Sequence, residues 1–596
     1  MFSVQRYVLY FILAACVVIT LNYYRAEFWA PYPHTHLSPA GGSHLQGDSG
    51  NRRYQWRTLP TNYPVTSLTP LPTEKPHKLP KIQYDFPIEN EEHAKKRSGR
   101  QAAVRRTFKR SWEAYRSHAW MQDELAPISG GAKNGFGGWG ASLVDNLDNL
   151  WIMGFKEEFE QALSAAMKID LTSATIDSIN VFETTIRHLG GFLAAYDLSG
   201  DERCLHKATE FGEMLYKAFD TPNRMPITRW KLKDAIQEKQ EADKTVLLAE
   251  LGSFTMEFTQ LSILTGDPKF YDAVDRITRL LAEQQEKTYL PGMWPVMVNA
   301  RVPDLTYDSW FTLGAMADST YEVSTPVESS RTLKLTCETV LPQNARSPWR
   351  RRSRLRTTVL RQHAGGARAQ MSSPPRLDPR GEHLVCFTGG MFALGGKLFD
   401  KPEHVEIGRK LTDGCIWSYR ALPLGVMPEV FQMIPCKDKS DCKWNETLWR
   451  EDVSNRQGLT SDLELDAYLK KARLPKGFAQ ISDPRYILRP EAIESVFMMY
   501  RITGEEKYQD AAWEMFSAII AASETDLANA ALSDITYTRE ELESKDVDIR
   551  MDSMESFWMA ETLKYFYLIF SEPDILSLDE WMFNTEAHPF RRNLPA

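Results

Sequence analysis

Two helical stretches carry acid where a helix usually carries apolar side chains. In residues 180–196 (NVFETTIRHLGGFLAAY) the apolar period includes Glu183 and, one turn on, Arg187; in residues 488–501 (LRPEAIESVFMMYR) it includes Glu491 and Glu494. A carboxylate on a stripe of Phe, Ile, Leu and Val is costly to bury unless it is paired or functional. On one helix alone, the simplest reading is a solvated i,i+4 Glu–Arg pair, contributing on the order of a few tenths of a kcal/mol. On several helices, each turning acid onto its apolar side, a shared polar cavity accounts for the pattern better. General acid and base catalysis is the chemistry open to carboxyl groups that meet in such a cavity.

Paired helices would have to position these acids. From Arg106 onward helical stretches end in a short Gly-acidic turn and restart with an aromatic, as at 153–159, 198–201, 264–270 and 502–508, with a weaker copy at 398–402. Gly at a helix end supplies a left-handed cap, and Asp, Glu or Pro opens the next helix. The turns recur at irregular intervals of tens of residues, which suits αα-hairpins set in a toroid rather than a strict solenoid. The expected fold class is all-α.

The 596 residues are 43% hydrophobic and 25% charged, enough for a large core. Lys+Arg 71 against Asp+Glu 79 gives a net charge of −8, and no global basic excess argues for a nucleic-acid partner. Basic residues do crowd two stretches, 75–110 and 346–380. After Arg6 an uncharged run, Tyr7 to Leu21 with Tyr23 and Tyr24 behind it, reads as a membrane segment. With no A-x-A site after it, an uncleaved type II anchor at 7–24 is expected, with 1–6 cytosolic and the body lumenal; a cleaved signal peptide is the alternative. Residues 25–105, rich in Pro, Ser and Thr, read as an extended stem. The sequon Asn445-Glu446-Thr447 is expected to be glycosylated, in line with lumenal exposure. Cys436 and Cys442 flank a short polar loop and are read as a second bridge or, more weakly, a metal site.

Seven strings, in order, closely resemble glycoside hydrolase family 47, the class I α-1,2-mannosidases: GFGGWGASLVDNLDNLWIMG (135–154), NVFETTIRHLGGFLAAYDLSGD (180–201), LGAMADS (313–319), HLVCFTGGMFALGG (383–396), LRPEAIESVFMMYR (488–501), MESFWMAETLKY (554–565) and FNTEAHP (583–589). The resemblance implies an (α/α)7 barrel over 106–596 and an inverting mechanism with Glu183, Asp318 and Glu491 around the scissile bond. Inversion needs a proton donor at the leaving oxygen and a carboxylate base across the sugar, with water between. Glu491 is assigned as the base; the acid is Glu183 or Asp318, directly or through a water. The resemblance places Arg187, Glu250, His383, Arg489, Glu494, Phe557, Glu561 and Glu586 against the sugar, Phe557 stacking on its apolar face. It gives Thr585 to Ca2+, two oxygens from the residue and the rest from water and sugar hydroxyls, with Glu491, Glu494, Glu561 and Glu586 holding the waters. It pairs Cys386 with Cys415 in a disulfide. The substrate implied is the high-mannose N-glycan, met in the endoplasmic reticulum or Golgi membrane by a monomer.

Two departures bear on these expectations. Met316 stands where many family members have Arg, two residues before Asp318, and its loss bears on branch preference. Residues 320–381 are crowded with Arg, Ser and Pro where the family continues a barrel helix, so the segment is expected to be a poorly ordered excursion, family-like helix resuming at Glu382 and His383. It resembles translated non-coding sequence more than a barrel helix; a basic regulatory insert is the alternative. The rival function from a different class is a catalytically weak glycan-binding protein that sorts misfolded glycoproteins.

Overall fold

Gly-acidic turns join successive helices in the computed structural model, which describes residues 56–72, 80–237, 239–329, 378–435 and 443–592. Gly200 closes the helix Gly190–Ser199 at φ 69°, and Asp201 caps the next, Glu202–Tyr216, by accepting the Arg203 N–H. Thr255–Thr265 ends the same way at Gly266, and Asp267 caps Pro268–Gln284 with proline in its first turn. Glu491–Thr503 is followed by Lys507–Ser523, and Thr388–Leu398 by Pro402–Arg420. In that last pair the backbones nearly touch: a Cβ on Gly408 would sit 2.5 Å from the Gly389 carbonyl oxygen, so only glycine allows the crossing. The long helix Glu91–His118, the first α-helix among the described residues, buries Phe108, Trp112 and Tyr115 and packs against Leu563–Ile569 near the end of the fold.

Strands are few and short among the described residues. Arg380–Glu382, Val430–Met433 and Phe478–Asp483 form an antiparallel sheet, and Trp581–Phe583 pairs with Pro589–Arg591 in a hairpin whose loop is 584–588. The disulfide Cys386–Cys415 ties the turn Leu384–Phe387 to the helix Pro402–Arg420. Cys204 is a buried free thiol, while Cys436 and Cys442 lie outside the described residues.

Two boundaries need correction. The stem was expected to reach 105, but helix begins at Glu91, and the described residues of 56–72 and 80–90 lie along the helical body. Trp56 is buried and donates its indole N–H to the Leu171 carbonyl. Backbone N–H groups of Asn62 and Tyr63 donate to Asp220, that of Thr69 to Asp272, and those of Ile82 and Gln83 to Asp579. An extended segment held through its backbone needs no apolar period, which is why the sequence concealed it. The basic run around 97 is likewise neutralised within the fold, Arg97 pairing with Glu89 and Glu572 and Arg100 with Asp510.

The second boundary is at 320. A helix spans Asp318–Ser329, so the chain remains helical well into the segment expected to leave the fold. At the far end Arg380–Glu382 is strand rather than helix, with a 3-10 turn at Leu384–Phe387 and α-helix from Thr388. Residues 330–377 lie outside the described residues, as do the expected anchor at 7–24 and the expected stem at 25–55 and 73–79. No described helix is long and apolar enough to cross a membrane. Asn445 is exposed and caps Glu446–Gln457 through its side-chain oxygen, so the amide nitrogen that a glycan would modify takes no part in the cap.

Candidate active site

Five segments converge on the C-terminal loop 584–588. The Thr585 hydroxyl donates to Glu322 at 2.7 Å, Glu586 pairs with Arg187, and the Asn584 amide donates to Glu257 (2.7 Å) and to the Ile186 carbonyl (3.2 Å). Lys564 donates to the Ala587 carbonyl at 2.8 Å and to Asp148 at 2.6 Å, and Asp148 also meets His588 Nδ1 at 2.8 Å. Asp148, Lys564 and His588 have no exposed side-chain surface, so this ion-pair cluster is the hidden anchor of the loop. Removing one member would strand the charge of another.

Glu183 follows Asn180, whose side chain caps the turn by accepting the Phe182 and Glu183 N–H groups. The helix then widens into a π segment, Thr184–Leu189, and Arg187 within it donates to Glu183 (2.9 Å) and to the Ser556 hydroxyl (2.8 Å). A second π segment, Trp558–Thr562, carries Glu561. Such bulges favour functional sites because the extra residue re-aims side chains without ending the helix. Left-handed backbone at non-glycine residues does similar aiming nearby: Met316 (φ 75°) precedes Asp318, Leu488 (φ 70°) precedes Arg489 and Glu491, and Ala587 (φ 57°) follows Thr585. Positive φ costs of order 1 to 3 kcal/mol at such residues.

The acids differ sharply in their surroundings. Burial raises the Glu491 carboxyl, but His383, with Nδ1 at 2.8 Å, and Arg489, at 3.8 Å, reverse this and hold it below the ordinary glutamate value. Arg489 is itself oriented by Glu429 at 2.6 Å. Burial and the neighbouring Glu491 push Asp318 up to about 7, against the opposing hydrogen bond from the Ser319 N–H. Burial, with Glu322 and Glu491 adding to it, raises Glu494 well above normal; burial with Glu586 and Glu491 does the same to Glu561. Glu183, Asp318, Glu491 and Thr585 keep partial exposure, whereas Glu494, Glu561 and Glu586 are buried. The structure therefore has a more open acidic rim over a buried acidic floor.

Of the remaining expected sugar contacts, Glu250 is buried and paired with Arg229 at 2.5 Å. Phe557 is buried with the Arg489 guanidinium 5.7 Å over its ring, and His383 is wholly buried behind Glu491. The sequence reading passed over Glu322, which was placed at the start of the atypical segment. Its signal was present: Glu322 lies four residues after Asp318, the spacing that drew attention to Glu183 and Arg187. Among the described residues no group of three or more His, Cys, Asp or Glu side chains closes on one metal point. Thr585 with its surrounding glutamates is a purely oxygen donor set rich in buried carboxyl groups, and this fits a hard cation such as calcium with a large share of water ligands.

A family model described as glycosyl hydrolase family 47 matches residues 107–592. The chain belongs to this family. The human endoplasmic reticulum mannosyl-oligosaccharide 1,2-alpha-mannosidase is 32% identical over 507 residues, covering 83% of this chain and 64% of that protein, so the chain spans a little under two thirds of this relative. The Arabidopsis thaliana mannosyl-oligosaccharide 1,2-alpha-mannosidase MNS1 is 30% identical over 503 residues, 83% of this chain and 78% of that one. The solved alpha-1,2-mannosidase from Trichoderma reesei superposes with a TM-score of 0.69 at 28% identity, covering 83% of this chain and 99% of its own. The helical-pair architecture is thus that of a family 47 mannosidase. Helix Glu91–His118 starts ahead of the matched region, and the segment at 56–90 lies wholly outside it.

Proposed function

We propose that this family 47 member removes terminal α-1,2-linked mannose from high-mannose N-glycans, with inversion at the anomeric carbon. The observation that carries this reading is the opposed electrostatics of two carboxyls: Glu491 is held ionised by His383 and Arg489, and Asp318 retains a proton up to about pH 7. Environments that push two carboxyls apart mark the base and the acid. Glu491 takes the proton from water as it attacks, and the leaving oxygen receives one from the acid. Of the two acid candidates, Asp318 is the one whose surroundings keep it protonated near neutrality, while Glu183 is engaged by Arg187. Arg187, Arg489, Glu250 and Phe557 bind and orient the sugar.

Calcium fits at Thr585, through its hydroxyl and carbonyl oxygens, with Glu322, Glu491, Glu494, Glu561 and Glu586 around the water shell. Bound there, the ion would bind and orient sugar hydroxyls. Met316 leaves a thioether, 44% exposed, beside Asp318, where it offers a sugar no hydrogen-bond donor. The chain therefore discriminates among mannose branches less through that position than an arginine-bearing relative does. The relatives named for the endoplasmic reticulum support a place in the secretory pathway. Within this proposal the uncharged run at 7–24 is a type II anchor, the enzyme is lumenal and monomeric, and the sequon at Asn445 is glycosylated. The presence of a differentiated base and acid favours turnover over a purely glycan-binding role.

The test is digestion of a high-mannose N-glycan by the parent and by Glu491→Gln. Mannose release by the parent, with turnover lost and glycan binding retained in the variant, is expected, because the amide keeps the shape but cannot accept the proton. Turnover by Glu491→Gln near the parent rate would refute the base assignment.

A further inference from the structure

His383 touches Glu491 with one ring nitrogen and something else with the other. Its Nε2 lies 2.8 Å from the hydroxyl of Tyr419, in the last turn of Pro402–Arg420. His383 has no exposed side-chain surface and Tyr419 is 2% exposed, so water does not fill in for either partner. The two residues are also tied covalently: Cys386 is three residues after His383, Cys415 is four before Tyr419, and the disulfide between them fixes one segment against the other. The His383 backbone N–H donates to the Glu429 carbonyl at 2.9 Å, and the Tyr486 ring packs 5.7 Å from the imidazole.

Counting protons along this line leaves one arrangement for a neutral ring. A carboxylate at Glu491 only accepts, so Nδ1 must carry the hydrogen. Nε2 is then a bare lone pair and needs a donor, and a buried phenol is one. The Tyr419 hydroxyl, 2.8 Å from Nε2, is placed to be that donor. Resting on the assignment of Glu491 as base, we propose that Tyr419 is a positioning residue that fixes the His383 tautomer and so keeps a donor aimed at Glu491. Without the hydroxyl, Nε2 can take the proton and turn a lone pair on Nδ1 toward the Glu491 carboxylate, which weakens the base and misplaces it.

The experiment uses the full chain with 15N-labelled histidine, parent and Tyr419→Phe, with His383→Gln to assign the signal. In the resting parent, His383 is expected as the neutral ring protonated on Nδ1. In Tyr419→Phe its two nitrogen signals should move toward the other tautomer, while kcat falls roughly tenfold or more, within the ~10²–10⁴ that a general base contributes, and KM stays within about twofold of the parent. A loss of packing alone would lower thermal stability without exchanging the two nitrogens. An imidazolium or an Nε2-protonated ring in the parent would overturn the proposal, even if Tyr419→Phe failed to fold. Unchanged nitrogen signals in a folded Tyr419→Phe would overturn it as well. Failure of the base assignment appears instead in the turnover of Glu491→Gln, so the two ideas fail separately.

Discussion

At the scale of single residues, the site works by giving chemically similar carboxyls different neighbours. Glu491 faces a histidine and an arginine, and Asp318 faces other acids in a partly closed setting, so one is anionic and the other retains its proton. The pH dependence follows with a definite sign. The base limb should lie below the ordinary glutamate value of 4.5, because Glu491 is depressed. The acid must be protonated, so kcat/KM should fall as pH rises through about 7, where Asp318 titrates. Asp318→Asn should abolish that upper limb along with most of the rate, whereas Glu183→Gln should leave the limb in place. An upper limb unmoved in Asp318→Asn and lost in Glu183→Gln would transfer the acid role to Glu183.

Among the elements, those with a repeating pattern were the legible ones. Gly200-Asp201 and Gly266-Asp267-Pro268 announce a cap and a fresh start, and both form helix pairs as expected. The disulfide Cys386–Cys415 also forms as the family resemblance implied. Glu183, Glu491 and Glu494 were legible because acid on an apolar stripe is conspicuous. Lys564, Asp148 and His588 were not, because a buried ion cluster assembled from segments far apart in the chain leaves no local period. The segment at 56–90 was missed for a related reason: its partners are Asp220, Asp272 and Asp579 in the helical body, and its side chains show no pattern. A fragment beginning at 106 loses that segment, half of the helix Glu91–His118 and the ion pairs of the buried Arg97. It should therefore melt several degrees below a fragment beginning at 56, and equal melting temperatures would show that the segment contributes nothing to the fold. Within the longer fragment, Asp579→Ala should cost about 1 to 2 kcal/mol by leaving the Ile82 and Gln83 N–H groups without their acceptor, read as a shift in the denaturant midpoint.

For the whole molecule, the excess of acid in the interior is the feature that links stability to function. Glu322, Glu494, Glu561 and Glu586 lie close enough for their charges to act on one another, and all are raised by burial. A cation bound only by the folded chain adds stability by mass action, ~2.7 kcal/mol at a hundredfold excess over its Kd. Chelation by EGTA should therefore lower the melting temperature and the mannosidase activity together, with calcium restoring both. A melting temperature indifferent to EGTA and to added calcium would argue against an ion at Thr585.

The central claim, that this helical ring is an inverting α-1,2-mannosidase built around Glu491, is tested most directly by following a high-mannose N-glycan digest by proton NMR. The anomer of the released sugar is read before it equilibrates, and the linkage lost from the glycan is read in the same spectra. The account predicts β-mannose as the first product and loss of terminal α-1,2 linkages alone. α-Mannose as the first product, or no mannose released by the folded, calcium-supplied protein, would contradict it.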